Sequence, residues 1–397
     1  MTHKLAIDGG KPVRQQPFHP WPVYDHQEEE ALLEVLHSGR WGVLDGTRVT
    51  EFEKQFANFQ NAQFGICVPN GTLALQLALI ALGVGPGDEV ITTPYTFIAT
   101  ASSIIQVGAA PVFIDIQPGT HNIAPDLIEG AITPRTRAIM PVHLSGRPAD
   151  MDAILALAQK YNLFVIEDAC QAWGSEWRGK KVGAIGNAGG FSFQASKNIT
   201  AGEGGIVITN DEALSERCWS IHNVGRIRAG AWYQHEVLGW NLRLPEWEGA
   251  ILQVQLARLP GHMLRREENV NYLTRLIQAE VPGLIPPAED PRITAHSHHL
   301  LILNYQPAAF GGHSRDEFVD AMSAEGITPI SNGYIPLHQS PAIQRAMGEA
   351  NIAHLSLPVA EQAGRKSLWF NQHIFLGTHQ DMEDIVEAAK KIQTAWS

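Results

Sequence analysis

From residue 64 to about 210, short apolar runs alternate with longer stretches of helical periodicity, and few architectures accept that alternation. The runs at 64–68, 89–92, 111–115, 138–142 and 163–167 have the length and composition of strands. The intervals 72–82, 96–107, 124–131 and 149–161 carry apolar residues at helical spacing. Strand–helix–strand repetition implies a mostly parallel sheet covered by helices on both faces. Ligands of such sheets bind beyond the carboxyl ends of the strands, so the loops that follow strands are where chemistry is expected.

The flanking segments read more simply. Residues 1–25 are rich in Pro and aromatics, including Phe18, Trp21 and Tyr24, and form an extended arm. Asp25 is placed to cap a helix from His26 to about Ser38, which Gly39 ends. A second amphipathic helix over 49–60 spaces Phe52, Phe56 and Phe59 for core packing. After a helix at 211–222 and a polar loop at 223–245, a long helix runs from 245 to about 280, with Pro260-Gly261 expected to kink or split it. Beyond the Pro-rich break at 281–291 the pattern changes to a strand (299–305), a helix (314–325), a strand (372–376) and a last helix (380–395). The expected division is an arm (1–25), a large domain (26–250), and a connecting helix with a small α+β domain (251–397).

Within the alternating region, one stretch draws the chemistry together. Asn187–Asn210 reads NAGGFSFQASKNITAGEGGIVITN: a short strand, a polar turn with Lys197, a Gly-rich corner, and a second strand. The chain has ten lysines, and most others, such as Lys180-Lys181 and Lys390-Lys391, sit in solvated settings. A lysine held between two strands can be kept neutral, and the neutral amine is the nucleophile of Schiff-base chemistry. A surface turn lysine would have the same local sequence, so the other motifs decide.

Pro69-Asn70-Gly71-Thr72 follows a strand and opens a helix, where free amides and a hydroxyl make an anion site. Simple capping by Thr72 accounts for the same residues. Pro94-Tyr95-Thr96-Phe97 also follows a strand and offers an aromatic to stack on a flat ring, or to fill the core. In Val165-Ile166-Glu167-Asp168-Ala169-Cys170-Gln171, an apolar strand runs into two carboxylates, which is costly unless they are paired. Asp168 is placed to face a cationic ring nitrogen, with a structural carboxylate as the competing reading. Phosphate cup, stacking ring, ring-nitrogen carboxylate and Schiff-base lysine are together what pyridoxal phosphate asks of a protein.

Bulk properties exclude several other classes. The net charge is −12, from 29 basic and 41 acidic residues with no dense basic run, so no nucleic-acid or anionic-membrane partner is expected. The longest apolar run, 72–84, is too short to span a bilayer, and the N-terminus lacks the apolar core of a secretory signal. A cytoplasmic location is therefore expected. Cys67, Cys170 and Cys218 are far apart and read as reduced thiols, and the clustered His296, His298 and His299 lack a completing carboxylate, so no metal is expected.

The order NGT, PYTFIAT, PVHLSG, EDACQAWG, FSFQASKNITAGEGG, GWNLRL resembles the DegT/DnrJ/EryC1/StrS aminotransferases over nearly the whole chain. The resemblance implies a type I aminotransferase fold and a homodimer with shared active sites. It implies pyridoxal or pyridoxamine phosphate as cofactor, with Lys197 as the attachment and proton-shuttling residue and Asp168 on the ring nitrogen. Phe97 would stack on the ring and Gln171 would approach its hydroxyl. Gly71, Thr72 and Ser192 would bind the phosphate, and Asn241 would come from the second subunit.

The N-terminal LAIDGGKPVR…PWPVYD, Gln194 in FSFQ and the C-terminal FNQHIFL lean toward glutamine:scyllo-inosose aminotransferases and 3-amino-5-hydroxybenzoate synthases. Asn371-Gln372-His373 departs from the paired histidines of those relatives. The implied reaction passes an amino group from glutamine or glutamate to a keto-cyclitol or keto-sugar, by a ping-pong route of secondary-metabolite (antibiotic) type. The expected substrate contacts are His143, Gln194, Tyr334 and His338, with Arg243 on the donor's carboxylate. The alternatives are an aminotransferase for nucleotide-linked keto-sugars, an aromatising synthase, and a regulatory homologue without turnover; Lys197 argues against the family's dehydratases, which carry His there.

Overall fold

The computed structural model describes residues 4–348, 352 and 355–397. Strands β1 (Phe64–Val68), β2 (Glu89–Thr92), β3 (Ala110–Phe113), β4 (Thr136–Met140) and β5 (Phe164–Asp168) come first. A short ribbon, β6 (Glu176–Trp177) and β7 (Lys180–Lys181), precedes β8 (Ala188–Ser192) and β9 (Gly205–Thr209). The central sheet has seven strands in the order β1-β9-β8-β5-β4-β2-β3. Strands β3, β2, β4, β5 and β8 are mutually parallel, as the alternation requires. Strand β9 runs antiparallel to both β8 and β1. The reason is the connection 193–204, which holds no helix and so cannot make a parallel crossover.

Alternate residues of each strand feed two different cores, because successive side chains point to opposite faces. Cys67, Ile139, Val165, Phe191, Ile206 and Ile208 join one core; Ile66, Val68, Ala138, Met140, Ile166 and Val207 join the other. Helices α1 (His26–Ser38), α2 (Arg48–Phe59), α3 (Gly71–Ala81), α4 (Ala99–Gln106), α5 (Pro125–Ile128), α6 (Met151–Tyr161), α7 (Glu212–His222) and α8 (Glu246–Glu280) surround the sheet. Asp25 caps α1 in a reciprocal capping box with Glu28, and Gly39 ends it in the left-handed conformation.

Helix α8 is one unbroken element with Pro260 inside, so the expected split does not occur. Its first half packs Leu252, Leu256 and Leu259 into one sheet core, while Val270, Leu273 and Ile277 pack into a separate C-terminal core. That second core lies against β10 (Leu284–Ile285), β12 (Leu300–Tyr305), β13 (Ile330–Asn332) and β14 (Ser367–Asn371), an antiparallel sheet in the order β10-β12-β14-β13. Strand β11 (Ile293–Ala295) pairs instead with β6. Leu5 and Phe18 of the N-terminal arm are buried in this second core.

The strand expected at 372–376 is a correction. The strand is Ser367–Asn371, and Ile374–Leu376 is a single 3-10 turn whose Ile374 and Phe375 are fully buried. A short apolar run signals burial, not which element is buried. Among the described residues, no helix is long and apolar enough to cross a membrane.

Candidate active site

A cavity of about 820 Å³ opens where the carboxyl ends of the parallel strands meet the second sheet. It is lined by the start of α3, the loop before α4, the end of β5, the turn after β8, and residues 299, 334, 369 and 371. The sequence-expected residues Gly71, Thr72, Phe97, Asp168, Gln171, Ser192, Gln194, Lys197 and Tyr334 all line it. Because β1, β2, β5 and β8 all point the same way, the loops after them, distant in sequence, converge at one edge of the sheet.

The start of α3 forms one wall. Asn70 caps the helix, its Oδ1 accepting from the Leu73 N–H at 2.9 Å. The helix itself has no use for the amides of Gly71 and Thr72. A Cβ on Gly71 would stand 2.8 Å from both Cys170 Sγ and Ser192 Cβ, so glycine lets the helix start close against β5 and β8. The result is a tight, electropositive cup beside the Ser192 hydroxyl.

The two carboxylates at the end of β5 divide by strand alternation. Glu167 turns into the core and is fully buried, accepting from His143 Nε2 at 2.9 Å and from the N–H groups of Gly183, Ile185 and Gly186 at 2.7, 2.8 and 2.6 Å. Asp168 turns into the cavity. Its Oδ2 accepts from Thr100 Oγ1 at 2.6 Å and its Oδ1 from the Cys170 N–H at 3.2 Å. Thr100 Oγ1 lies 3.1 Å from Thr96 Oγ1, so two hydroxyls one helical turn apart steady the carboxylate.

Among the described residues, nothing hydrogen-bonds or pairs with Lys197 Nζ. Burial of its head group holds the amine below the ordinary lysine range, against the opposing pull of Cys170 and Asp168. Its Nζ stands 6.0 Å from the centre of the Trp173 ring. Cys170, at the same wall, stays a neutral thiol because burial pushes it well up.

The opposite wall is made of oriented neutral donors and acceptors. Gln171 Oε1 accepts from the Ser145 N–H at 2.6 Å, which fixes the amide and sends Nε2 to Tyr334 Oη at 3.1 Å. Burial pushes the Tyr334 phenol up to about 12, so it keeps its proton. With its oxygen accepting from Gln171, that proton is free to be donated. Tyr334 also packs on Trp369, with ring centres 4.6 Å apart.

Several lining residues were not anticipated: Thr100, Glu203, His299, Trp369 and Asn371. Thr100 carried a usable signal, a second Thr four residues after Thr96 at a helix start. His299 is held by Asn198, whose Nδ2 donates to Ser297 O at 2.7 Å and whose Oδ1 therefore accepts from His299 Nδ1 at 3.0 Å. Burial and the nearby Lys197 and Arg266 charges keep this imidazole neutral.

Four expected contacts do not reach the cavity of their own chain. His143 is sealed in the core: Nδ1 accepts from the Ala149 N–H at 3.0 Å and Nε2 donates to Glu167, so both ring nitrogens are spent. His338 is also buried, with Nε2 3.3 Å from Glu361 Oε1. Arg243 bonds to Asn223 Oδ1 at 2.8 Å, and Asn241 lies exposed on the 223–245 loop. His296 and His298 stack on each other with centres 4.1 Å apart, brought together by a turn in which His298 has a φ of 48°.

Comparison with known proteins adds a family-level finding. The sequence profile of the DegT/DnrJ/EryC1/StrS aminotransferase family matches residues 22–390. The chain is 39% identical over 410 residues to a putative L-glutamine:3-amino-2,3-dideoxy-scyllo-inosose aminotransferase of Streptoalloteichus tenebrarius, covering 99% of this chain and 98% of that protein. The crystal structure of 3-amino-5-hydroxybenzoic acid synthase superposes with a TM-score of 0.89 at 32% identity, covering 96% and 99% of the two chains. A structure of DesI in the presence of its TDP-sugar product gives a TM-score of 0.86 at 29% identity, covering 100% and 97%.

Proposed function

The chain belongs to the DegT/DnrJ/EryC1/StrS aminotransferase family, and on that premise we propose that it transfers an amino group from glutamine or glutamate to an uncharged keto-cyclitol, with pyridoxal phosphate held in the 820 Å³ cavity. The observation that carries the reading is the half-buried amine of Lys197, without a hydrogen-bond or ion-pair partner among the described residues, in a cavity shared with Asp168 and the amino end of α3. The residues fit the cofactor. The close-set cup at Gly71, Thr72 and Ser192 suits a phosphate, Asp168 suits a protonated pyridine nitrogen, and Phe97 offers an exposed ring for stacking. When bound, the cofactor supplies an electron sink for the carbon that loses or gains the amino group.

The protein's own residues do the rest. Lys197, its amine neutral more readily than a surface lysine's, binds the cofactor and moves a proton to and from the substrate carbon. Thr100 and the Cys170 N–H hold the Asp168 carboxylate in one orientation. Gln171 and Tyr334 present hydrogen-bond donors to the ring hydroxyl and substrate. Gln194, also in the cavity, contacts the acceptor.

A homodimer is part of the reading. Trp41, Leu44, Trp232, Tyr233, Leu238 and Trp240 are exposed in the single chain, more apolar surface than solvated loops usually carry. A second copy covering them supplies Asn241 to the phosphate and Arg243 to the donor's carboxylate, roles neither fills in its own chain.

The cyclitol is preferred over a nucleotide-linked sugar because the chain is 39% identical to the putative glutamine:keto-inosose aminotransferase and 29% identical to the protein solved with its TDP-sugar product. The test offers the purified protein pyridoxal phosphate, glutamine or glutamate, and a panel of keto-cyclitols and nucleotide-linked keto-sugars, with products identified by mass. Amination of the cyclitols alone is expected. Amination of the nucleotide sugars alone would refute the acceptor class, and an aromatic product would favour the synthase reading.

A further inference from the structure

The arm residue Trp21 takes no part in the cavity, yet it touches the turn that carries Lys197. Its indole Nε1 donates to the carbonyl oxygen of Ala195 at 2.8 Å, two residues before the lysine. The Arg266 guanidinium stands 5.5 Å from the centre of the indole ring, and the His262 ring meets it edge-on at 6.4 Å. Arg266 is fully buried without a carboxylate partner among the described residues, an expensive placement. It is held by Gln372, through the backbone oxygen at 3.3 Å and through Oε1. Gln372 Nε2 in turn lies 3.5 Å from the carbonyl oxygen of Ser196.

Beyond Lys197 the turn is anchored by Asn198, which bonds to Ser297 O and His299 Nδ1; on the near side it has little outside itself to hold it. Ala195 and Ser196 are exposed, and the turn's own bonds are local: the Lys197 N–H to Gln194 O at 2.8 Å and the Ser196 N–H to Gln194 Oε1 at 2.9 Å. We propose that Trp21, backed by Arg266 and Gln372, is a positioning residue that fixes the Lys197 turn from behind and so sets how deeply the amine is held in the cavity. The N-terminal arm is thereby a working part of the site. With the brace gone the turn samples more open conformations, and the amine gains water. This rests on the reading of Lys197 as the attachment residue.

The titratable groups sharing the cavity with Lys197 Nζ are Asp168 at the end of β5, Cys170 just beyond it, Glu203 in the Gly-rich corner, and His299 before β12. The test uses the full chain without added cofactor, labelled by a small amine-reactive reagent across a pH series, with Lys197 followed by peptide mass spectrometry. Wild-type Lys197 is expected to react at lower pH than the surface lysines. Trp21→Phe keeps a ring against Arg266 and removes the N–H. Its Lys197 labelling midpoint is expected to rise by about half a pH unit or more. Amide exchange across 194–198 is expected to quicken about threefold to tenfold, the scale of one lost hydrogen bond. Exchange in β12 serves as the control for global loosening and is expected to be unchanged. Equal midpoints and equal turn exchange in a folded Trp21→Phe protein would overturn the brace alone. A wild-type Lys197 that labels like a surface lysine would overturn the site reading beneath it.

Discussion

At the residue scale, the cavity depends on a few side chains whose partners can be removed one at a time. Lys197→Ala is expected to abolish transamination while leaving the unfolding transition in place, because Nζ takes part in no hydrogen bond or ion pair with the described residues. Thr100→Val removes the 2.6 Å bond to Asp168 Oδ2. A hydrogen bond to a charged group contributes about 1.5–3 kcal/mol, so turnover is expected to fall about tenfold or more, checked by steady-state rates with glutamine as donor. The sequence made Asp168 and Lys197 legible because each sits at a strand end with a reason to be there. The sequence also put His143 among the expected substrate contacts; only the packing shows that both its ring nitrogens are already bonded.

At the element scale, β5 shows how a two-residue period separates chemistry from architecture. Glu167 faces the core and bonds to His143 and three backbone amides, while its neighbour faces the cavity. Glu167→Ala leaves these donors buried and unmatched, and a loss of roughly 3–5 kcal/mol in unfolding free energy is expected from urea titration.

Helix α2 and strand β1 are joined by Glu53, whose Oε1 accepts from the Cys67 N–H at 2.7 Å and whose carboxyl burial pushes up to about 7. The folded value lies above the ordinary 4.5. The native protein therefore keeps a proton that the unfolded chain has lost, and stability falls as pH rises from about 4.5 to about 7. Glu53→Gln keeps the acceptor and removes the titration, so urea midpoints at the two ends of that window are expected to converge relative to wild type. Elements were legible where periodicity ran long, as in the alternation of β1 to β5 with its helices. The error at 372–376 came from a short run, where burial is visible and element type is not.

At the scale of the whole molecule, the proposed homodimer makes a quantitative prediction. If one chain supplies Lys197 and the other Asn241, then Lys197→Ala and Asn241→Ala proteins are each impaired. Unfolded and refolded together in equal amounts, half the dimers are mixed and each mixed dimer has one intact site, so about a quarter of wild-type activity is expected to return. Activity that stays at the sum of the two separate mutants would place both residues in one chain's site.

The sequence by itself determined the parallel-sheet architecture, the family, and the residues at strand ends, because these depend on local period and on motifs a few residues long. The tertiary structure alone decided which of those residues face the cavity and which are spent in the core. It drew Thr100, His299, Trp369 and Asn371 into the site and left His143 and His338 outside it. It also set the indole of a distant arm against the lysine turn. Most of these contacts join residues far apart in the chain, fixed by how two sheets and one long helix pack, and apart from the Thr96–Thr100 spacing no local pattern marks them.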